Sequence, residues 1–209
     1  MRFLAAALLI LVEFIVVSAA MPASLIDWCD RVDNAWMVGW YGKENTRTFR
    51  SSATRSFKGL FVDTGIVDFS YRMALPSRKE WEDAGPFVHI EDSLGIYGFL
   101  ENRLNVFWRE IAQIVDRFMQ LGLWLAALSV MWLGHAQDGL AIRKLKGKTF
   151  GYASPFYHRY GIYFTGWLWV ALIVWILLPL PMHPLVFPAV ILIQGALINV
   201  IAMNLQKKV

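Results

Sequence analysis

The chain has a single cysteine, Cys29, so an internal disulfide is excluded. It has no phosphate-cradling Walker loop, no G-x-S-x-G nucleophile elbow and no H-E-x-x-H zinc motif, so nucleotide hydrolysis, acyl transfer and zinc proteolysis find no support. No alternating apolar–polar strand series appears, and no internal inverted repeat of the transporter kind is visible. Lysine and arginine are absent from the turn Pro181-Met182-His183-Pro184 and from the apolar runs on either side of it. What is present is apolar. Of 209 residues, 57% are hydrophobic and the mean hydropathy is +0.45, against roughly 45–50% apolar in soluble domains. The excess sits at the start and towards the end of the chain, with ordinary charge density between. That split describes a membrane protein with an attached domain. Ten Trp and seven Tyr agree, because both rings favour the membrane–water interface.

Residues 1–20 read as a first transmembrane helix, a retained signal anchor, interrupted only by Glu13. A rival reading exists for this segment: Arg2 would serve as a short basic n-region, with Ser18 and Ala20 at a cleavage point. Residues 118–134 form the second expected span. Upstream of it, Leu104, Phe107, Ile111, Ile114, Val115 and Phe118 recur at helical spacing, so a long helix is expected from about Asn102 to Leu133. Gly134 and the Gln137-Asp138-Gly139 run would stop it. Residues 163–180 and 185–203 form the last two spans, joined by a proline-rich hairpin, with Pro188 in the first turn of the final helix.

Charge sets the orientation. The connector 135–162 carries Arg143, Lys144, Lys146, Lys148 and Arg159 against one acid, Asp138. The tail 204–209 carries Lys207 and Lys208. With about four spans these segments and Arg2 share one side, the cytoplasm by the positive-inside rule, in a bacterial inner membrane. Residues 21–117 then lie in the periplasm, where 12 basic and 14 acidic residues show no such bias. Leu25, Trp28, Cys29, Val32, Trp36 and Trp40 make a helical stripe there, and the polar, basic segment from Asn45 to Phe57 would continue the helix as a solvated face. Gly65, Pro76, Gly85-Pro86, Gly95 and Gly98 would break the rest into short pieces. Trp28, Trp36, Trp40 and Tyr41 would let the domain lie across the outer leaflet. The expected fold is therefore an all-α integral membrane protein, with about four transmembrane helices and a mostly helical periplasmic domain between the first and second.

Candidate sites follow from this layout. Glu13 is an intramembrane acid, and such groups are expensive. Gln194, at similar depth, would hydrogen-bond to it, and Asn199 lies nearer the cytoplasmic side. These polar residues suit helix association; proton transport would need a chain of titratable groups that the spans lack. The connector is rich in His135, Asp138, Arg143, Lys144, Lys146, Lys148, Tyr157, His158, Arg159 and Tyr160. Three roles compete for it: topology alone, binding of anionic headgroups or nucleic acid, and docking of a partner protein. His135, His158 and Asp138 do not match a metal-ligand spacing, and Cys29 lies across the membrane from both histidines. No catalytic residue, metal or cofactor is expected.

The residues His135, Asp138-Gly139-Leu140, Arg143 and Tyr157-His158 before an aromatic span resemble the signature of a family of membrane proteins from integrating conjugative elements and large conjugative plasmids, a domain-of-unknown-function family. The layout is similar too: an N-terminal apolar segment, an outer middle region and clustered C-terminal spans. Leu145-Lys146-Gly147-Lys148 stands where the family is expected to be richer in arginine. The resemblance implies a non-enzymatic component of a conjugative type IV secretion apparatus. It further implies partnership with membrane lipid, with other secretion-system subunits and with a coupling-protein ATPase; a homo-oligomer is left open, and direct nucleic-acid binding is not expected. The competing classes are a small transporter or channel subunit using Glu13 and Gln194, and an assembly factor of another membrane complex.

Overall fold

The computed structural model describes residues 21–75, 95–149 and 151–205. All regular structure among these residues is helical: α1 (Ala23–Tyr41), α2 (Lys43–Phe57), a π-helical turn (Lys58–Val62), α3 (Ile66–Ala74), α4 (Ile96–Lys148), α5 (Pro155–Leu177) and α6 (Val186–Met203). Three of them, α4, α5 and α6, are long and apolar enough to cross a membrane. The first expected span and Glu13 lie outside the described residues. The chain divides into two units, one of residues 21–117 with Leu177–Pro181, the other of Phe118–Ile176 with the residues from Met182 on.

In the first unit the expected continuous helix through residues 45–57 is broken at Gly42, whose φ of +80° is a conformation that side-chain-bearing residues avoid. Side chains at the start of α2 bond back across the break. Asn45 Nδ2 donates to the Tyr41 carbonyl at 2.9 Å, and the Thr46 hydroxyl donates to that of Gly42 at 2.8 Å. Further on, Gly65 at φ +78° ends the π-helical turn and starts α3. The Ser70 hydroxyl accepts from Trp108 Nε1 at 3.0 Å, and the Tyr71 hydroxyl donates to Asn105 Oδ1 at 2.6 Å, fixing α3 on α4. Trp108 also packs on Phe61, with ring centroids 5.7 Å apart, and edge-on to Phe57.

Helix α1 runs parallel to α4. Arg103 donates to the Met21 carbonyl, Arg109 pairs with Asp27, Gln113 Nε2 reaches the Ile26 carbonyl, and Arg117 pairs with Asp33. Those sequence separations stay between 82 and 87 residues, as two helices advancing in step require. Met21, Ile26 and Val106 form a small apolar core with Ala23 and Leu25 beside it. The face of α4 that this unit buries is Val106, Glu110, Ile114 and Arg117. Only Ile114 belongs to the stripe expected from hydrophobic spacing. Leu104 and Phe107 are half-buried, while the charged Glu110 and Arg117 lie on the buried face, Arg117 with polar partners from α1 and the 178–180 turn.

The second unit is a three-helix bundle. Helix α4 does not stop at Gly134 or at Gln137-Asp138-Gly139 but runs on to Lys148. Glycine inside a helix costs only ~1 kcal/mol against alanine, and here the missing side chains are used for packing. A Cβ at Gly139 would lie 2.7 Å from Ala202 and from the Asn199 carbonyl, and one at Gly195 would lie 2.6 Å from His135. Trp132 Nε1 donates to the Ile191 carbonyl at 2.9 Å, so α6 runs parallel to this part of α4. Helix α5 returns antiparallel to α6: Gly161 meets Ile201, and Thr165 lies near Gln194. Trp132 and Trp169 meet edge-to-face at 6.4 Å. Elsewhere the bundle leaves Val130 70% and Trp167 69% exposed, apolar surface of the kind a bilayer covers. The last helix and Pro188 in its first turn lie where the sequence puts them. The expected connector of residues 135–162 shrinks to six residues, 149–154: Gly151 N caps the Lys146 carbonyl at 2.8 Å, and Pro155 opens α5 with the Ser154 carbonyl accepting from His158 N.

Candidate docking surface

The basic residues expected in a loop are in fact helical. Arg143, Lys144, Lys146 and Lys148 occupy the last turns of α4, where positive charge complements the negative helix terminus. Lys144 and Lys148 are exposed, one turn apart on the same face; Arg143 and Lys146 are half-buried. The first turns of α5 add aromatics. Phe156 lies 4.1 Å from Tyr160, centroid to centroid, and edge-on to Tyr157 at 5.9 Å. Arg159 stands over the Tyr163 ring at 5.7 Å. Leu145, Tyr152, Phe156 and Tyr157 are each more than half exposed, Tyr152 the most at 77%. The six-residue connector thus holds a cationic helix end beside an uncovered aromatic cluster. Arginine and aromatic rings are the residue types that dominate protein–protein contacts.

The two histidines do not belong to that open surface. His135 lies inside α4 against Gly195 of α6, and His158 Nδ1 sits 3.2 Å from the Ile201 carbonyl. Both turn towards α6, whereas Asp138, Tyr157 and Arg159 are exposed. Asn204, which ends α6, accepts from Ser154 N at 3.2 Å through Oδ1 and donates to the Val200 carbonyl at 2.9 Å, tying the connector to the helix end. Among the described residues no group of three or more His, Cys, Asp or Glu side chains is placed to hold a metal.

Gln194 is buried in the bundle. Its Nε2 points to Thr165 Oγ1 at 3.5 Å, at the outer limit of a hydrogen bond, and its Oε1 has no partner among the described residues. Asn199 is half-buried, its backbone carbonyl pressed against Gly139. The expected link from Gln194 to Glu13 involves a residue outside the described ones.

Hydrophobic spacing gives no hint of the polar centre of the first unit. Arg117 Nη1 donates to the Leu178 carbonyl at 2.7 Å; Nη2 donates to the Leu180 carbonyl at 2.6 Å and to Asp33 Oδ2 at 3.1 Å. The Cys29 thiol donates to the Pro179 carbonyl at 3.1 Å. Three consecutive carbonyls, freed where α5 ends before Pro179 and Pro181, are therefore held by one arginine and one thiol. Burial pushes the Cys29 thiol above its ordinary range, and the neighbouring Asp33 carboxylate adds to the effect. Beside this cluster an open cleft of about 340 Å³ lies between α1, α2 and α4, with Asp27, Asp30, Asp33 and Asp116 against Arg50 and Arg109. Arg50 pairs with Asp30 at 2.8 Å, and Arg109 with Asp27 at 2.7 Å. The sequence signal for this side of α1 was the three-residue spacing of Asp27, Asp30 and Asp33.

A family model described as IncC plasmid conjugative DNA transfer protein DtrJ-like matches residues 17–206. No curated protein and no solved structure matches.

Proposed function

Because the chain belongs to the DtrJ-like family of conjugative DNA transfer proteins, we propose that it is a non-enzymatic membrane component of the transfer apparatus that docks a cytoplasmic coupling ATPase to the membrane channel. The observation that carries this reading is the cationic end of α4 set beside the exposed Tyr152, Phe156 and Tyr157. Such a surface has both parts of a docking site. Aromatic rings supply contact area at low entropic cost, and the positive charges select an acidic partner face and speed the encounter. On this reading the connector and the C-terminal tail face the cytoplasm, and residues 21–117 face the opposite side, next to the channel. The adjoining bundle keeps α4 and α5 in a fixed relation through Gly139, Gly161 and Gly195, so the surface is held ready for its partner.

The test is conjugation frequency with Arg143, Lys144, Lys146 and Lys148 all changed to Ala. Transfer should be abolished while the protein still accumulates in the membrane, and the ATPase should no longer co-purify in mild detergent. Normal transfer by this variant, with topology unchanged, would reject the docking role.

A further inference from the structure

Helix α2 presents two opposed faces. Thr46, Phe49, Arg50, Ala53 and Phe57 turn inward, buried or half-buried, with Arg50 paired to Asp30 at 2.8 Å and Phe57 edge-on to Trp108. Lys43, Arg47, Ser51, Arg55 and Lys58 follow one another at spacings of four, four, four and three, so they form a single row, and all are exposed. Lys58 keeps helical dihedrals, φ −57° and ψ −50°, so the row runs unbroken to it. Its length is ~22 Å at ~1.5 Å per residue. None of its four cations is in an ion pair among the described residues, whereas Arg50, Arg109 and Arg117 each meet an aspartate. The one acid of α2, Glu44, stands in the first turn, where the positive helix terminus accepts it. Like charges at three- and four-residue spacing repel, so the row is a positive edge that its own helix does not neutralise.

The chemistry of the row narrows what can lie against it. A membrane-surface helix buries an apolar face in lipid, and the apolar face of α2 is already turned inward on Phe49, Ala53 and Phe57. The row holds no aromatic anchor, and lysine is depleted where proteins pack on proteins. The Ser51 hydroxyl is committed to the Thr48 carbonyl at 2.8 Å. What remains is positive charge alone, the complement of a phosphodiester backbone held without reading its bases. A straight row of ~22 Å covers about two-thirds of the ~34 Å turn of a duplex, whose strands wind away from it over that length. A single strand can be drawn along it.

We propose that this face of α2 binds single-stranded DNA through its phosphates, without sequence preference. Lys43, Arg47, Arg55 and Lys58 each neutralise a phosphate and release its counterion. The chain belongs to a family of conjugative DNA transfer proteins, and an apparatus that passes any sequence needs contacts that ignore the bases. Direct nucleic-acid contact, not expected from the sequence, thus falls to the first unit. It uses residues of α2 alone and none of the docking residues of α4 and α5, so it does not rest on the docking reading.

The experiment is fluorescence anisotropy of a labelled, mixed-sequence single strand with the full chain in detergent. With four phosphate contacts the affinity should fall about 50-fold from ~50 to ~200 mM salt. Changing Lys43, Arg47, Arg55 and Lys58 together to Gln should abolish binding, with Cys29 still unreactive to maleimide as the check on folding. Each of Lys43→Gln, Arg47→Gln, Arg55→Gln and Lys58→Gln alone should lower the slope of log affinity against log salt by about 0.7, a readout that survives if the fourfold variant does not accumulate. The chain with Arg143, Lys144, Lys146 and Lys148 changed to Ala should bind the strand as the unaltered chain does, so the two readings fail separately. Unchanged binding by the α2 variant overturns the proposal, as does loss of binding in the α4 variant alone. Equal competition by a duplex of the same length, by polyglutamate or by phosphatidylglycerol vesicles also overturns it, since the face would then belong to a duplex, an acidic peptide or a lipid surface.

Discussion

Removing the carboxylate of Asp33 should destabilise the protein far more than removing that of Asp27, although each pairs with an arginine of α4. The side chains of Arg117 and Asp33 are 3% and 11% exposed, whereas those of Arg109 and Asp27 are 59% and 49% exposed. Breaking a buried pair by deleting one member leaves an uncompensated charge and costs about 3–5 kcal/mol. The exposed pair is worth about 0.2–1 kcal/mol. For a chain of this size 1 kcal/mol moves the unfolding midpoint by about 2–4 °C. Asp33→Asn should therefore lower the midpoint of the detergent-purified protein by about 6–20 °C, and Asp27→Asn by no more than about 4 °C. Arg117→Met should be at least as damaging as Asp33→Asn, because it also strips the donors from the Leu178 and Leu180 carbonyls. The double variant Asp33→Asn with Arg117→Met should lose less than the two single losses added together, since the charge left behind by one is removed by the other. Equal midpoints for Asp33→Asn and Asp27→Asn, or strict additivity in the double variant, would refute the reasoning.

Gly195→Leu should disrupt the three-helix bundle, because even its Cβ would meet His135 at 2.6 Å; limited proteolysis in detergent should show faster cutting, whereas Gly98→Ala, with open space around it, should not. Cys29 should resist maleimide and iodoacetamide in the folded protein, since it is buried and its thiol is held protonated beyond the usual pH by desolvation and by Asp33. Raising the pH within the folded range should bring less gain in labelling than for a free thiol, and full reactivity should appear on unfolding; rapid labelling at neutral pH would show that the Cys29 contact to Pro179 is not kept.

Local signals made part of this fold legible. Proline cannot continue a helix, so the hairpin from Pro179 to Pro184 and the place of Pro188 followed from the sequence, as did the two apolar helices flanking them. Gly134 and Gly139 were misleading because a glycine reads alike whether it ends a helix or admits a neighbour. Ala202 and Asn199, sixty or so residues away, decide for the second at Gly139. The stripe through Leu104 and Phe107 rightly marked a long helix, but hydrophobic spacing cannot register that Asp33 and two turn carbonyls make Arg117 a buried residue of it. At the docking surface the residue types were legible and their form was not. The run from Arg143 to Lys148 is recognisably basic, but its extension as helix depends on packing of the preceding turns against α6. His135 and His158 were grouped with the open surface by proximity in sequence, whereas the bundle turns both inward. The family itself was legible in the connector motif.

Helix α4 is unbroken for 53 residues, about 80 Å at 1.5 Å per residue. Its first turns carry the contacts of α3 and Met21, and its last turns carry the lysines. Within the second unit no proline or left-handed residue interrupts the hydrogen-bond ladder from Phe118 to Lys148. Strain applied at Lys148 therefore reaches Gly139, His135 and Trp132, where α4 grips α6, without any segment having to refold along the way.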